Sequence, residues 1–284
     1  MYHKATFKSG KGVLFYRHND IDSRRENLLC IHGLGDSGGV FREAFFEAGL
    51  RDYNIIVPDL CGYGESQSKV DSEEDYKFKN QIARLYELLD QLRIEKFFLI
   101  GHSMGGDIGT LMCTTYSQAR IRAFVNVEGD LTQGDRFITN LAVAAHAQGD
   151  KFFEKWLKYE LIDILFADER AKFTLSKKHY QKSLAACSAI AFWENVKEIR
   201  SLNENLPGHD YAETARLFTE IQIPKIYYWG TESIEPKSPT WKYLETNTFQ
   251  QQSFSAFHWI MLGQRKEFYD CLTNFFRTIA LAKG

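Results

Sequence analysis

The 284-residue sequence carries only five cysteines and almost no net charge. No apolar run approaches the roughly 18 residues that would span a bilayer. Cys30, Cys61, Cys113, Cys187 and Cys271 are far apart, odd in number and form no C-x-x-C pair, which argues against a disulfide framework and against a zinc site built on cysteine. Free thiols in a reducing compartment are the simpler expectation. Lys and Arg total 35 against 37 Asp and Glu, a net charge of −2, so no general basic field is offered to nucleic acid or anionic lipid. The start, Met1-Tyr2-His3-Lys4, lacks the apolar stretch of a secretory signal. A cytoplasmic protein is expected, with no membrane span and no nucleic-acid partner. What is present is the material of a folded domain: 44% hydrophobic, 25% charged and 14% aromatic residues, in a chain long enough to bury a core without metal or disulfide staples.

Two N-terminal strands are expected around 5–8 and 12–17, joined by a turn over 9–12 containing Gly10 and Gly12. Short apolar runs at 28–31, 55–57, 97–100, 123–127 and 225–229 each suit a strand buried on both faces, as in a parallel sheet. Between them Phe78, Ile82, Leu85, Leu89 and Leu92 recur at three- and four-residue steps, the mark of an amphipathic helix. Strand and helix alternating in this way predict an α/β fold, a mostly parallel sheet flanked by helices. The rhythm breaks after residue 130. From 131 to 220 no convincing strand appears, and helices are predicted over 152–166 and 178–199. This stretch holds Phe137, Phe152, Phe153, Trp156, Phe166, Phe173, Phe192 and Trp193, too much aromatic surface for a linker. An inserted helical lid fits, dividing the core into 1–130 and 221–284. Most of its aromatics should be packing, with two or three lining an apolar cleft. A last strand near 248–254 and a helix from about Arg265 complete the chain.

The sharpest motif is Gly101-His102-Ser103-Met104-Gly105-Gly106, directly after the strand at 97–100 and before a helix. G-x-S-x-G in that context lifts a serine on a strained turn, with small neighbours to admit adjacent segments and a helix N-terminus aimed at the site. A glycine-rich turn without function is the competing reading. Upstream, the strand at 28–31 runs into His32-Gly33-Leu34-Gly35. An acyl-transfer enzyme needs preorganised amides for its oxyanion, and the backbone N–H groups of Leu34 and Met104 would make such a pair. His32 is expected to hold its loop. The stretch Gly33-Leu34-Gly35-Asp36-Ser37-Gly38 also spells G-x-G-x-x-G ahead of a helix expected at 40–50. Asp59 ends the next strand, so a dinucleotide-binding oxidoreductase is a rival. Strands before the motif, a histidine before its first glycine and the later serine turn count against it.

A third segment, Asp59-Leu60-Cys61-Gly62-Tyr63-Gly64-Glu65-Ser66, follows the strand at 55–57. With His-Gly-x-Gly before it and Gly-His-Ser-Met-Gly-Gly after it, the chain resembles the α/β-hydrolase family, in its lid-bearing branch. The resemblance covers essentially the whole core; the lid matches in position and helical character alone. It implies a serine nucleophile at Ser103 and a structural Asp59. The family order of nucleophile, acid and histidine leaves His258 as the general base, because His146, His179 and His209 fall in the insertion. The acid stays open. The commoner pattern expects an aspartate where Ser233 stands, in Gly230-Thr231-Glu232-Ser233. A variant seen in haloalkane-dehalogenase-like relatives places the acid after the strand that follows the nucleophile helix, where Glu128 and Asp130 stand. Glu128 is the favoured candidate, with Glu232 and Asp130 as alternatives.

The reading is a serine hydrolase acting on a carboxylic ester, or related acyl compound, of a small to medium, mainly apolar substrate. It proceeds through an acyl-enzyme and without a cofactor. Thioester, lactone or carbon–carbon cleavage fits the same residues, since substrate choice resides in the insertion. An inert hydrolase scaffold that binds a ligand is the alternative from another class.

Overall fold

The computed structural model describes residues 2–9, 12–66, 73–116, 118–168 and 174–281. Gly10 and Lys11 of the expected turn, and Phe173 of the insertion, lie outside the described residues.

The apolar runs become strands because their residues are covered on both faces: residues 28–31, 55–57 and 97–100 are all essentially buried. At about 1.5–3 kcal/mol for each large apolar side chain taken from water, these runs dominate the stability of the core. Among the described residues eight strands form one sheet: β1 (His3–Ser9), β2 (Gly12–His18), β3 (Glu26–Ile31), β4 (Tyr53–Pro58), β5 (Phe97–His102), β6 (Ile121–Val127), β7 (Lys225–Gly230) and β8 (Gln251–Phe254). Their spatial order is β1-β2-β4-β3-β5-β6-β7-β8. The β1–β2 and β2–β4 pairings are antiparallel and every other pairing is parallel. The chain runs outward from β3 to β4, then returns to the other side of β3 as β5. That reversal sets the carboxyl ends of β3 and β5 side by side at a switch point, the usual place for a site in such sheets. The loops after β6, β7 and β8 leave from the same end of the sheet.

Helix α1 (Phe78–Gln91) buries Phe78, Ile82, Leu85, Leu88 and Leu89 along one stripe. It stops where Arg93 takes φ 57° and Ile94 N–H turns back to Leu89 O, at 2.9 Å. Helix α2 (Met104–Thr114) follows β5. Between β6 and β7 come α3 (Phe137–His146), α4 (Asp150–Lys155), α5 (Leu161–Leu165), α6 (Leu175–Ala185), α7 (Ala189–Leu202) and α8 (Glu213–Glu220). Among the described residues this stretch contains no strand, only an isolated bridge between Asn205 and Ala212. After β7 come α9 (Pro239–Thr246), α10 (Ile260–Gly263) and α11 (Arg265–Leu281).

Several elements differ from their sequence expectation. The helix at 152–166 is α4 and α5 joined by a π-helical turn, Trp156–Glu160. The helix at 178–199 is two helices. Ser188 breaks it by capping α7, its Oγ accepting from Ala191 N–H while its own N–H donates to Gly62 O at 2.8 Å. The helix at 40–50 is a pair of 3₁₀ segments, Gly38–Phe46 and Ala48–Leu50, in a stretch whose Gly38, Gly39 and Gly49 disfavour α-helix. The last strand begins at Gln251, three residues later than expected.

Candidate active site

Ser103 stands between β5 and α2 with φ 54° and ψ −125°, a conformation that costs on the order of 1–3 kcal/mol and persists only where the surroundings hold it. Here the hold is visible. Ser103 N–H donates to Val127 O at 2.8 Å, and Ser103 O accepts from Gly106 N–H at 2.6 Å. A side chain at Gly105 would bring its Cβ within 2.3 Å of Ile31 O, so only glycine lets the turn nest against β3. The serine itself is half-buried.

His258 lies in the loop between β8 and α10, and Nδ1–H donates to Glu128 Oε2 at 2.5 Å. Glu128 follows β6 with φ 51°, and its N–H donates to Tyr228 O at 2.9 Å, which closes the β6–β7 ladder at the Val127–Tyr228 pair. Its other oxygen, Oε1, accepts from Gly230 N–H at 2.5 Å and from the Ser233 hydroxyl. The serine that occupies the position expected for an aspartate thus donates to the Glu128 carboxylate instead. That departure from the family pattern was the sequence signal, although it did not disclose a donor. Held at Nδ1, the His258 ring keeps Nε2 free as an acceptor. Among the described residues no hydrogen bond joins Ser103 Oγ to His258; such contacts are commonly loose in unliganded geometry and tighten with substrate.

His102, beside the serine, ties the two loops together. Its Nε2–H donates to His258 O at 3.1 Å, and the two rings lie 4.6 Å apart. Burial, with His258 adjacent, pushes the His102 imidazole down to about 3, so it is neutral at physiological pH. Sequence reasoning missed this tether. His32 is buried and fastens its loop, Nδ1–H donating to Gly33 O at 2.8 Å and Nε2 accepting from Leu60 N–H at 3.0 Å. Burial lowers its pKa as well. Asp59 accepts from Gly38 N–H at 2.7 Å and Glu65 N–H at 2.8 Å and pairs with Arg17 at 2.7 Å, which makes it a fastener of its turn.

The two amides named for an oxyanion, Leu34 and Met104, belong to nearly buried residues on adjacent strand ends. Neither N–H donates to another described residue. For Met104 this follows from its place as the first residue of α2, where helix amides are left without intrahelical partners. The alternative acids are placed elsewhere. Asp130 accepts from Asn203 Nδ2 at 2.5 Å, and its N–H donates to Asp107 Oδ1 at 3.0 Å. Burial raises the carboxyls of both Asp107 and Asp130; Asp135 adds to each shift and Asp107 to that of Asp130, while the Asp130 N–H works against the rise at Asp107. Glu232 lines a cleft of about 430 Å³ with Phe166, Ser176, Phe257, Trp259 and Leu262. A larger cavity, about 880 Å³, sits between α1, α2 and α7 and touches none of Ser103, Glu128 or His258. The G-x-G-x-x-G stretch leads into a 3₁₀ segment rather than an α-helix, so it lacks the helix N-terminus a dinucleotide fold uses for phosphate.

A family model described as the alpha/beta hydrolase fold matches residues 26–234. The chain belongs to the α/β hydrolase fold family. It is 25% identical to Lipase 1 of Psychrobacter immobilis over 82% of this chain and 70% of that protein. It is 30% identical to Lipase 3 of Moraxella sp. (strain TA144) over the same shares. A solved structure of the N-acyl homoserine lactonase AidH, a mutant complexed with N-hexanoyl homoserine, superposes with a TM-score of 0.73 at 18% identity, covering 98% of each chain; at that identity the likeness is one of fold. With lipases among its relatives, the chain is an enzyme of the hydrolase class. No helix among the described residues is long and apolar enough to cross a membrane.

Proposed function

We propose that this hydrolase cleaves a carboxylic ester of a small to medium, mainly apolar substrate through an acyl-enzyme on Ser103. The observation that carries the reading is the His258 Nδ1–Glu128 Oε2 bond at 2.5 Å beside a strained serine turn. His258 Nε2 takes the proton as Ser103 Oγ adds to the acyl carbonyl, and the imidazolium is stabilised by Glu128. The negative oxygen of the tetrahedral intermediate is received by the N–H groups of Leu34 and Met104. The intermediate collapses by expelling the alcohol, which leaves with the proton from His258. A water molecule then repeats the sequence, its proton passing to His258 and on to Ser103 as the acid departs. No cofactor takes part.

The helices of 131–220 act in this reading as a lid over a core formed by 1–130 and 221–284. Its aromatics are largely packing: Phe153, Trp156, Phe166 and Phe192 are buried. Phe166, stacked 5.1 Å from Trp259, meets the loop of His258 and is a candidate for contact with the acyl chain. Cys30, Cys113, Cys187 and Cys271 are free thiols, which suits a cytoplasmic location.

Intact-mass analysis after fluorophosphonate treatment tests the proposal. A single adduct on the wild type that is absent from Ser103→Ala is expected. An unmodified wild type, confirmed with a smaller phosphonylating probe, would replace the enzyme with a ligand-binding scaffold.

A further inference from the structure

Asp36 has no part in the chemistry above, yet more of the site meets at its carboxylate than at any residue of the loop that carries Leu34. It is 1% exposed, and three separate parts of the chain donate to it. Oδ1 accepts from Ser37 N–H at 2.7 Å, from His179 Nε2–H at 2.6 Å and from Ser183 Oγ at 3.2 Å. Oδ2 accepts from Trp259 Nε1–H at 3.1 Å. His179 and Ser183 stand on α6 of the insertion, and Trp259 is the residue after His258. Burial works to raise this carboxyl, but His179 foremost, with His102 and His32, holds it below the ordinary carboxylate range.

The same helix grips the oxyanion loop directly. The Tyr180 hydroxyl donates to Leu34 O at 2.9 Å, and Ser37 Oγ meets Ser183 Oγ at 3.0 Å. Gly35 has φ +70°, and a Cβ there would lie 2.6 Å from the Tyr180 hydroxyl, so the approach of α6 leaves no room for a side chain. Tyr180 and Trp259 rings are 4.9 Å apart. One carboxylate therefore fixes the loop bearing the Leu34 amide, the loop bearing the general base, and the helix that covers both.

We propose that Asp36, through His179 and Trp259, is a positioning residue that sets the Leu34 amide and the His258 loop in their working places. The inference rests on the assignment of Ser103, His258 and Leu34 above. Oxyanion stabilisation depends on donors fixed before the charge develops, so loosening this junction acts on the transition state and leaves substrate binding nearly intact.

The test compares Asp36→Asn, His179→Gln and His179→Ala with wild type, each shown to be folded by circular dichroism. It reads kcat and KM on p-nitrophenyl butyrate and the inhibition constant of a trifluoromethyl ketone, which forms a tetrahedral adduct. For Asp36→Asn, kcat should fall about 10- to 100-fold, ketone affinity should fall in parallel, and KM should stay within about threefold. His179→Gln retains an N–H donor at the end of its side chain and should keep most of the rate; His179→Ala should not. A purely structural Asp36 would lower the melting temperature while kcat and ketone affinity stayed at wild-type values, and that result would overturn the proposal. If Asp36→Asn does not fold, equal rates for the two His179 variants would overturn it. Fluorophosphonate labelling of Ser103 separates the two failures: a wild type that labels while Asp36→Asn behaves as wild type defeats this inference alone. A wild type that does not label defeats the serine reading and this inference with it.

Discussion

Two carboxylate–histidine pairs stand at the carboxyl end of the sheet, and their geometries are nearly the same. Glu128 and His258 meet at 2.5 Å, with side chains 5% and 26% exposed; Asp36 and His179 meet at 2.6 Å, with side chains 1% and 18% exposed. They differ in the ring atom engaged. His258 is held by Nδ1, which leaves Nε2 for a reacting group, whereas His179 spends Nε2 on its carboxylate. They differ also in what surrounds the acid: Glu128 is backed by Gly230 and Ser233 of the sheet's next loop, Asp36 by the covering helix. In the proposed mechanism the same chemical couple drives proton transfer in one place and holds a scaffold in the other, according to the nitrogen left over. A third acidic group, Asp107 and Asp130, has no histidine within hydrogen-bond reach among the described residues, and burial drives its carboxyls toward the protonated form.

The comparison breaks first at the reacting atoms. Ser103→Ala and His258→Ala should each lower kcat by about 10⁴-fold or more, measured by steady-state hydrolysis of an activated ester. His179→Ala, the same change in the other pair, should cost far less, and equal losses would erase the distinction between the two pairs. Ser233→Ala removes one donor to Glu128 while Gly230 N–H remains; a hydrogen bond to a charged group contributes about 1.5–3 kcal/mol, so a fall in kcat of roughly tenfold is expected. A wild-type rate would mean that Ser233 does not help to hold the acid.

The smallest effect concerns pH and the third acidic group. A carboxyl whose folded-state pKa is raised keeps a proton that the unfolded chain releases near pH 4. Its contribution is therefore greatest below that pH and declines as pH rises toward the folded-state value. Asp107→Asn keeps an oxygen for Asp130 N–H and removes the titration. Thermal melts between pH 5 and pH 8 should show a shallower decline for this variant than for wild type. Parallel declines would show that the Asp107 carboxyl is already ionised.

Much of the candidate site could be read from the sequence because its parts are local. The turn at Ser103, the His-Gly-Leu-Gly loop and the carboxylate at the end of β6 each follow an apolar run whose strand is set by a few adjacent residues. Glu128 could be named because it ends such a run at the place where haloalkane-dehalogenase-like relatives carry their acid, yet its partners could not. Ser233 and Gly230 are more than a hundred residues away in sequence, and only the neighbouring of β6 and β7 brings them to it. Asp36 looked like one letter of a glycine motif. Its proposed role depends on α6, whose start and end the sequence blurred, because Ala186, Cys187 and Ser188 carry no strong break signal until Gly62 O captures the Ser188 amide. The π-helical turn at Trp156–Glu160 was hidden in the same way, since its apolar spacing still resembles that of a continuous helix.

The central claim is that Glu128, and not the carboxylate expected after β7, serves His258. Pre-steady-state acylation by p-nitrophenyl acetate, compared for Glu128→Gln and Glu232→Gln, tests it most directly. The account predicts that Glu128→Gln slows acylation on the order of 10³- to 10⁴-fold while Glu232→Gln stays within a few-fold of wild type. Near-wild-type acylation by Glu128→Gln together with a collapse in Glu232→Gln would contradict it.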